Sequence, residues 1–334
     1  VYALDFWEHS VGVALIGWAA VLLVDVGRDG RWPRGLAAGG LLGAAAALRT
    51  EALVYAAVLT AAAGIALLAA RRPARAVAAG VAVVVGLAAL TAGNITLEIA
   101  TVGSTLRVGR AAGAASFVPG DTGDSRLDEA LVTLASPIAS VTRDAELFGL
   151  LLLVALLGSA VLAARRDSGF PGRAVGALVA ALYVGRLLGG LDFVPGMVAA
   201  APIVAIGIVH GWSTRPLRMV TGAAFAALPL VWAFQFRGGA APQWGGRYIL
   251  PSGLLLVVAG VVALPRLARW ARIEMVALAV AITMLGVAWL AVRSHSVADA
   301  ADALAARSEP VLVSRVAHLG RELGAAYGDK PWLT

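Results

Sequence analysis

Residues 52–93 read ALVYAAVLTAAAGIALLAARRPARAVAAGVAVVVGLAALTAG. Two apolar runs, 52–70 and 76–93, are joined by a short link whose charges are Arg71, Arg72 and Arg75. A helix rises 1.5 Å per residue, so crossing a hydrocarbon core of about 30 Å takes roughly 17–25 mostly apolar residues. Both runs have that length, and a short arginine-bearing link is what a cytoplasmic loop carries. The stretch predicts two membrane-crossing helices joined at a basic turn.

The same alternation recurs on both sides of it. Further apolar runs lie at 11–26, 35–50, 147–164, 173–190, 196–212, 218–235, 249–265 and 275–293, which makes ten candidate spans. Only Arg49, Thr50 and Glu51 part the run at 35–50 from the one at 52–70, so one long broken element is the alternative there. Composition agrees: 60% of the 334 residues are hydrophobic, 14% are charged, and mean hydropathy is +0.84. Soluble domains carry about 25% charged residues, so a soluble globule is excluded, as is a disordered chain. The absence of cysteine excludes a disulfide scaffold. A net charge of +7 would ordinarily raise nucleic acid as a partner. Here the basic residues come in short clusters between apolar runs, which points to a lipid bilayer and to no nucleic acid. Almost all of them are arginine, with Lys330 the only lysine. With abundant Ala, Gly and Val, this suggests a GC-rich bacterial coding sequence. Residue 1 is valine with no basic leader, so the chain is expected to begin inside a longer protein.

Orientation follows from the arginines. If the chain starts outside, the inner loops are 27–34, 71–75, 165–173, 213–218 and 266–274. They carry Arg28, Arg31, Arg34; Arg71, Arg72, Arg75; Arg165, Arg166, Arg173; Arg215, Arg218; and Arg266, Arg269, Arg272. The short outer turns hold only Arg49, Arg237 and Arg247. The expected fold is therefore an all-α polytopic transmembrane bundle of about ten helices over 1–293, with an extracytoplasmic loop at 94–146. Within that loop, Leu127, Leu131, Leu134 and Ile138 are spaced as in an interfacial helix. The tail, 294–334, has a polar helical stretch at Val297 to Arg307, a strand-like Val311-Leu312-Val313 and a helix-like His318 to Tyr327. It reads as the start of an extracytoplasmic α/β domain.

Ionisable groups at the rim of a membrane bundle are costly, and they are read first as functional candidates. Here they gather on the outer side: Asp5, Glu8 and His9 in DFWEH; Arg49 and Glu51 in LRTE; Arg186 with Asp192; and Gln243, Trp244, Arg247 and Tyr248 in PQWGGRYILP. Carboxylates beside arginines suit a substrate with a phosphate to be clamped and a hydroxyl to be deprotonated. Each has a structural alternative. Asp5 or Glu8 complements the first helix dipole, Arg49 and Glu51 form a wet hinge, and Arg186 snorkels to the headgroups. His9 beside Glu8 offers two metal-ligand types, but adjacent helical positions diverge and no H-x-x-x-H spacing occurs. No residue is assigned to a metal, and a divalent cation is the one cofactor left open. Arg247 is the sharpest candidate, with Gly245 and Gly246 before it and Pro251 opening the next helix.

DFWEH before a helix, GLLGAAAALRTE in the second hydrophobic segment and WGGRYILP before the ninth resemble the GT-C superfamily of polytopic glycosyltransferases, especially bacterial relatives of the protein mannosyltransferases. The likeness runs from residue 5 to about 290 through degenerate motifs. It implies a sugar carried on a polyprenyl phosphate, an envelope acceptor (glycan, lipid or protein), and an extracytoplasmic active site in a bacterial plasma membrane. By position, Asp5 and Glu8 look like the family's acidic motif on the second outer loop. Arg49 stands where a Lys or Arg ends the Gly-rich helix, and Arg247-Tyr248 matches an R-Y-x-x-P element. The match implies that the principal catalytic Asp lies upstream of Val1, or else that Asp5 is itself that residue. The tail resembles the start of the family's C-terminal domain, so a fragment truncated at both ends is expected. A transporter or flippase is the competing expectation. It would place charged or broken helices at the bilayer midplane, whereas here Arg186 and His210 lie near helix ends. A non-catalytic membrane scaffold would not need clustered outer charges.

Overall fold

A computed structural model of the chain describes residues 8–105, 126–135, 143–165, 169–188, 195–234, 245–309, 311–313 and 332–333. In hydrocarbon every backbone N–H and C=O must bond within its own segment, and the apolar runs accordingly fold as helices. They are α1 (Glu8–Asp29), α2 (Trp32–Leu48), α3 (Ala52–Ala69), α4 (Pro73–Val102), α5 (Arg126–Ala135), α6 (Arg143–Ala163), α7 (Gly169–Leu188), α8 (Met197–Ala200), α9 (Ile203–His210), α10 (Arg215–Phe234), α11 (Leu250–Ala263) and α12 (Arg269–Ala305). Single 3₁₀ turns, Arg247–Ile249 and Leu264–Arg266, flank α11. Proline opens α4, and Pro33 and Pro251 stand in the first turns of α2 and α11, where the missing N–H costs nothing.

Among the described residues six helices are long and apolar enough to cross a membrane: Ser10–Asp29, Ala52–Ala69, Pro73–Val102, Arg215–Phe234, Arg247–Arg266 and Arg269–Ala305. This is fewer than the ten expected spans. The runs at 35–50 and 147–164 are helical but yield only 17 residues each, in α2 and in the apolar part of α6. The run at 173–190 is helical as α7 without counting among the six. The run at 196–212 is broken: Ala201, just before Pro202, is forced out of helical geometry to φ −139, ψ 81. Two helix ends also fall later than expected. α4 continues past residue 93 to Val102 because its polar residues bond within the helix. Asn94 Nδ2 donates to Glu98 Oε1 at 2.7 Å, and the Thr96 and Thr101 hydroxyls donate to the carbonyls of Ala92 and Leu97. It stops at Gly103, in the left-handed region at φ 78. α12 likewise absorbs most of the expected tail helix.

The chain divides into two compact units, one over 2–280 and one over 281–334 with Val1. In the second, Leu312–Val313 pairs in parallel with Trp332–Leu333. Those two-residue strands are what is described of the expected α/β domain. The run His318 to Tyr327 lies outside the described residues.

In the first unit, small residues set the packing. A Cβ on Gly39 of α2 would overlap the backbone of Val83 in α4, one on Gly43 would stand 2.8 Å from Leu87 O, and one on Gly86 would stand 2.8 Å from Gly40 N. Gly35, Gly39 and Gly43 recur every fourth residue, so one face of α2 meets α4 backbone to backbone. Close approach of this kind replaces the hydrophobic drive that lipid tails cannot supply. Gly207 of α9 and Gly260 of α11 cross in the same way. Large apolar side chains point outward as well as inward. α4 buries Ala79, Ala82, Val83 and Gly86 while exposing Val77, Val81, Val84, Val85 and Leu90. A contiguous exposed apolar surface of that extent fits lipid as its surroundings, not water.

Polar clamps fix the register of the central helices. Ser252 N–H donates to the Tyr55 hydroxyl at 3.2 Å, Ser252 Oγ donates to Ala224 O at 3.0 Å, and Tyr55 completes the set by donating to Ser252 Oγ at 2.9 Å. This buried cluster ties α3, α10 and α11 together.

Candidate functional site

The arginines sort by end of the bundle. At one end Arg72 Nη1 donates to Arg28 O and Arg75 Nη1 to Asp29 O, both at 2.9 Å, and Arg215 Nη2 donates to Ala66 O. Arg49, Glu51 and Arg247 lie at the opposite ends of α2, α3 and α11, and they come together there.

α2 ends at Arg49, which is extended at φ −143, ψ 120, with its N–H on Ala45 O at 2.8 Å. Glu51 then accepts the N–H of Val54 at 2.9 Å and starts α3. The link is too short for anything but a reversal, so both charges are pressed into the α2–α3 corner. The Arg49 stem runs along α1, where a Cβ on Gly12 would stand 2.9 Å from Arg49 Cδ. Glycine there is what admits an arginine. Arg49 is 4% exposed, and the Glu51 side chain is 9% exposed. Arg49 Nε donates to Glu51 Oε1 at 2.5 Å, and Nη2 donates to the same oxygen and to Arg247 O at 2.8 Å. Nη1 is buried with no hydrogen-bond partner among the described residues.

Arg247 is presented by a loop that needs glycine. Gly245 and Gly246 both sit in the left-handed region, at φ 75 and 68. Gly245 N–H donates to Pro195 O at 2.7 Å, and Ile249 N–H returns to Gly246 O at 2.7 Å. A side chain on Gly246 would strike the Thr133 carbonyl of α5. The Arg247 guanidinium carbon lies 5.1 Å from the centroid of the Tyr248 ring, a cation–π distance. α5 carries Leu127, Leu131 and Leu134 of the expected interfacial helix, while Ile138 lies outside the described residues. Its Thr133 is buried and accepts Trp232 Nε1–H at 2.9 Å.

Of the sequence candidates, the structure thus joins Arg49, Glu51 and the Arg247-Tyr248 turn. Arg186 stands in the last turn of α7. One turn earlier, Tyr183 donates to Ala199 O at 2.8 Å, which ties α7 to α8 four residues past the Pro195 whose carbonyl accepts Gly245 N–H. Glu8 and His9 open α1, but their side chains lie outside the described residues, as do Asp5, Asp192, Gln243 and Trp244 altogether. No three His, Cys, Asp or Glu side chains that could hold a metal come together among the described residues. Sequence reasoning missed Gly12, Thr133, Trp232 and the Tyr55–Ser252 pair. The available signal was a hydroxyl or a glycine inside an otherwise apolar run.

Chemically, the corner offers guanidinium donors in a dry setting beside a glycine loop with little side-chain bulk, which suits an oxyanion. Compared with known proteins, the chain matches no family model, no curated protein and no solved structure.

Proposed function

We propose that the chain is a membrane glycosyltransferase. It moves a sugar from a polyprenyl-phosphate donor to a glycan, lipid or protein acceptor at the extracytoplasmic face of a bacterial plasma membrane. The observation that carries this reading is Arg49: a buried guanidinium anchored by Glu51 and by Arg247 O, with Nη1 left over. Together with the Arg247 fork it forms a cradle for the phosphate oxygens of a leaving polyprenyl phosphate. In the reaction the acceptor oxygen bonds to the anomeric carbon while the bond from that carbon to the phosphate oxygen breaks. The acceptor proton passes to a carboxylate, for which Asp5 and Glu8 are the candidates, and the phosphate keeps the electron pair. In this reading the four shorter or broken apolar helices cross the membrane with the other six, which puts Arg49 and Arg247 outside, and the parallel pair after α12 opens an α/β domain.

Full-length protein with polyprenyl phosphate as the probe tests the assignment. Arg247→Lys and Arg247→Gln should weaken binding about ten- to hundredfold, because a charge-assisted contact contributes about 1.5–3 kcal/mol. Folded yield should be kept, and turnover of the polyprenyl-phosphate sugar should fall in parallel. Wild-type binding by both variants overturns the cradle. The transporter or flippase reading draws on one observation, the break between α8 and α9 at Pro202. That break lies about two helical turns from Pro195, and no ionisable residue occurs in 195–203, so the broken segment brings no charge with it.

A further inference from the structure

We propose that the arginine-rich end of the bundle binds an anionic phospholipid astride the first half of α10. This rests on the membrane reading of the chain and not on glycosyl transfer. Two apolar grooves flank that helix. One, of about 600 Å³, lies between α3 and α10; the other, of about 480 Å³, lies between α1, α10 and α11. A hollow of about 280 Å³ sits between them, sharing Ala66 and Met219 with the first groove and Val24 and Pro216 with the second. Arg215 lines both the hollow and the first groove, Arg28 lines both the hollow and the second, and exposed Arg218 lies on the lip of the first. The shape is two apolar channels meeting at guanidinium groups, which matches two acyl chains meeting at a phosphate.

Depth decides between a lipid and a soluble ligand. Along α10 the first groove runs from Arg215 to Ala226, about 16 Å, which is half of a core about 30 Å thick. It is thus one leaflet deep and opens at the arginine level. Beyond Arg215 and Arg218 at its mouth, its walls, Ala62, Ala66, Gly222 and Ala226 among them, carry no polar side chain for a water-soluble ligand to bond. Charge selects the headgroup. Asp25, in the second groove, faces Arg28 at 3.4 Å and Arg34 at 3.6 Å, so the rim remains positive and repels the ammonium of a zwitterionic lipid.

The test uses the whole chain in nanodiscs of equimolar phosphatidylglycerol and phosphatidylcholine, released into detergent for native mass spectrometry. Wild type should retain phosphatidylglycerol in preference, and Arg215→Gln with Arg218→Gln should lower that retention by about tenfold or more. Gly222→Leu keeps every charge and puts its side chain into open space in the groove, since nothing stands within 4 Å of a Cβ there. It too should displace the lipid. Because Arg215 also bonds Ala66 O, the double variant could misfold; Arg218→Gln alone and Gly222→Leu then decide. Equal retention of both lipids by wild type overturns the proposal, as does full retention of phosphatidylglycerol by the variants. So does a dimer in which a second copy fills the groove.

Discussion

A guanidinium as buried as that of Arg49 is tolerable only while its partner remains. Removing one member of a buried ion pair strands a charge and costs about 3–5 kcal/mol, whereas replacing both with apolar groups of similar size is often neutral. Glu51→Ala should therefore lower the unfolding midpoint in detergent more than Arg49→Met combined with Glu51→Leu. A double variant less stable than the single would contradict the pairing. Tyr55→Phe removes the donor to Ser252 Oγ and the acceptor of Ser252 N–H, and should cost about 1 kcal/mol. Combined with Ser252→Ala its effect should fall short of the sum, because the two residues share one cluster. Arg49, Glu51 and Arg247 were legible as charges interrupting apolar runs. Their mutual contact was not, because Arg49 and Arg247 lie 198 residues apart and no local pattern names a distant partner.

Between helices, glycine separates two kinds of position that look alike in sequence. Gly39→Ala must push α2 off the Val83 backbone, which should cost about 1–3 kcal/mol or more in thermal unfolding. Gly93→Ala, within α4, meets nothing within 4 Å and should be neutral or stabilise by up to about 1 kcal/mol through helix propensity. If both changes behave alike, the α2–α4 seam is not backbone against backbone. The positions of the helices could be read from apolar length, because the bilayer imposes that length. Their ends could not: α4 keeps Asn94, Thr96, Glu98 and Thr101 helical by pairing them internally, and hydropathy alone reads such residues as loop. Pro202 was visible, yet an apolar run with proline can be a kinked span or two helices, and packing at Gly207 and Gly260 belongs to the latter here.

For the molecule as a whole, the cysteine-free sequence makes sidedness measurable without background. Single cysteines at Ala74 and Ala268 should label with an impermeant reagent from one side, and those at Thr50 and Ser104 from the other. Labelling of Ala74 and Ser104 from the same side would mean that α4 does not cross. Helix lengths add a consequence for the lipid itself. α2 has 17 residues and measures about 25 Å, against a core of about 30 Å, and its start is marked by exposed Trp32 beside Arg31. If α2 crosses as proposed, with that tryptophan at one boundary, Arg49 ends about 5 Å short of the other. α4 is locked to α2 by the glycine seam and overshoots the same boundary, so tilting cannot lift α2 independently. On the proposed ten-span reading, the surrounding leaflet dips to meet the α2–α3 corner, forming a dimple walled on one side by the projecting α4. For the proposed lipid-phosphate donor, this means that its headgroup would reach the cradle by descending from the membrane plane, without being lifted out of it.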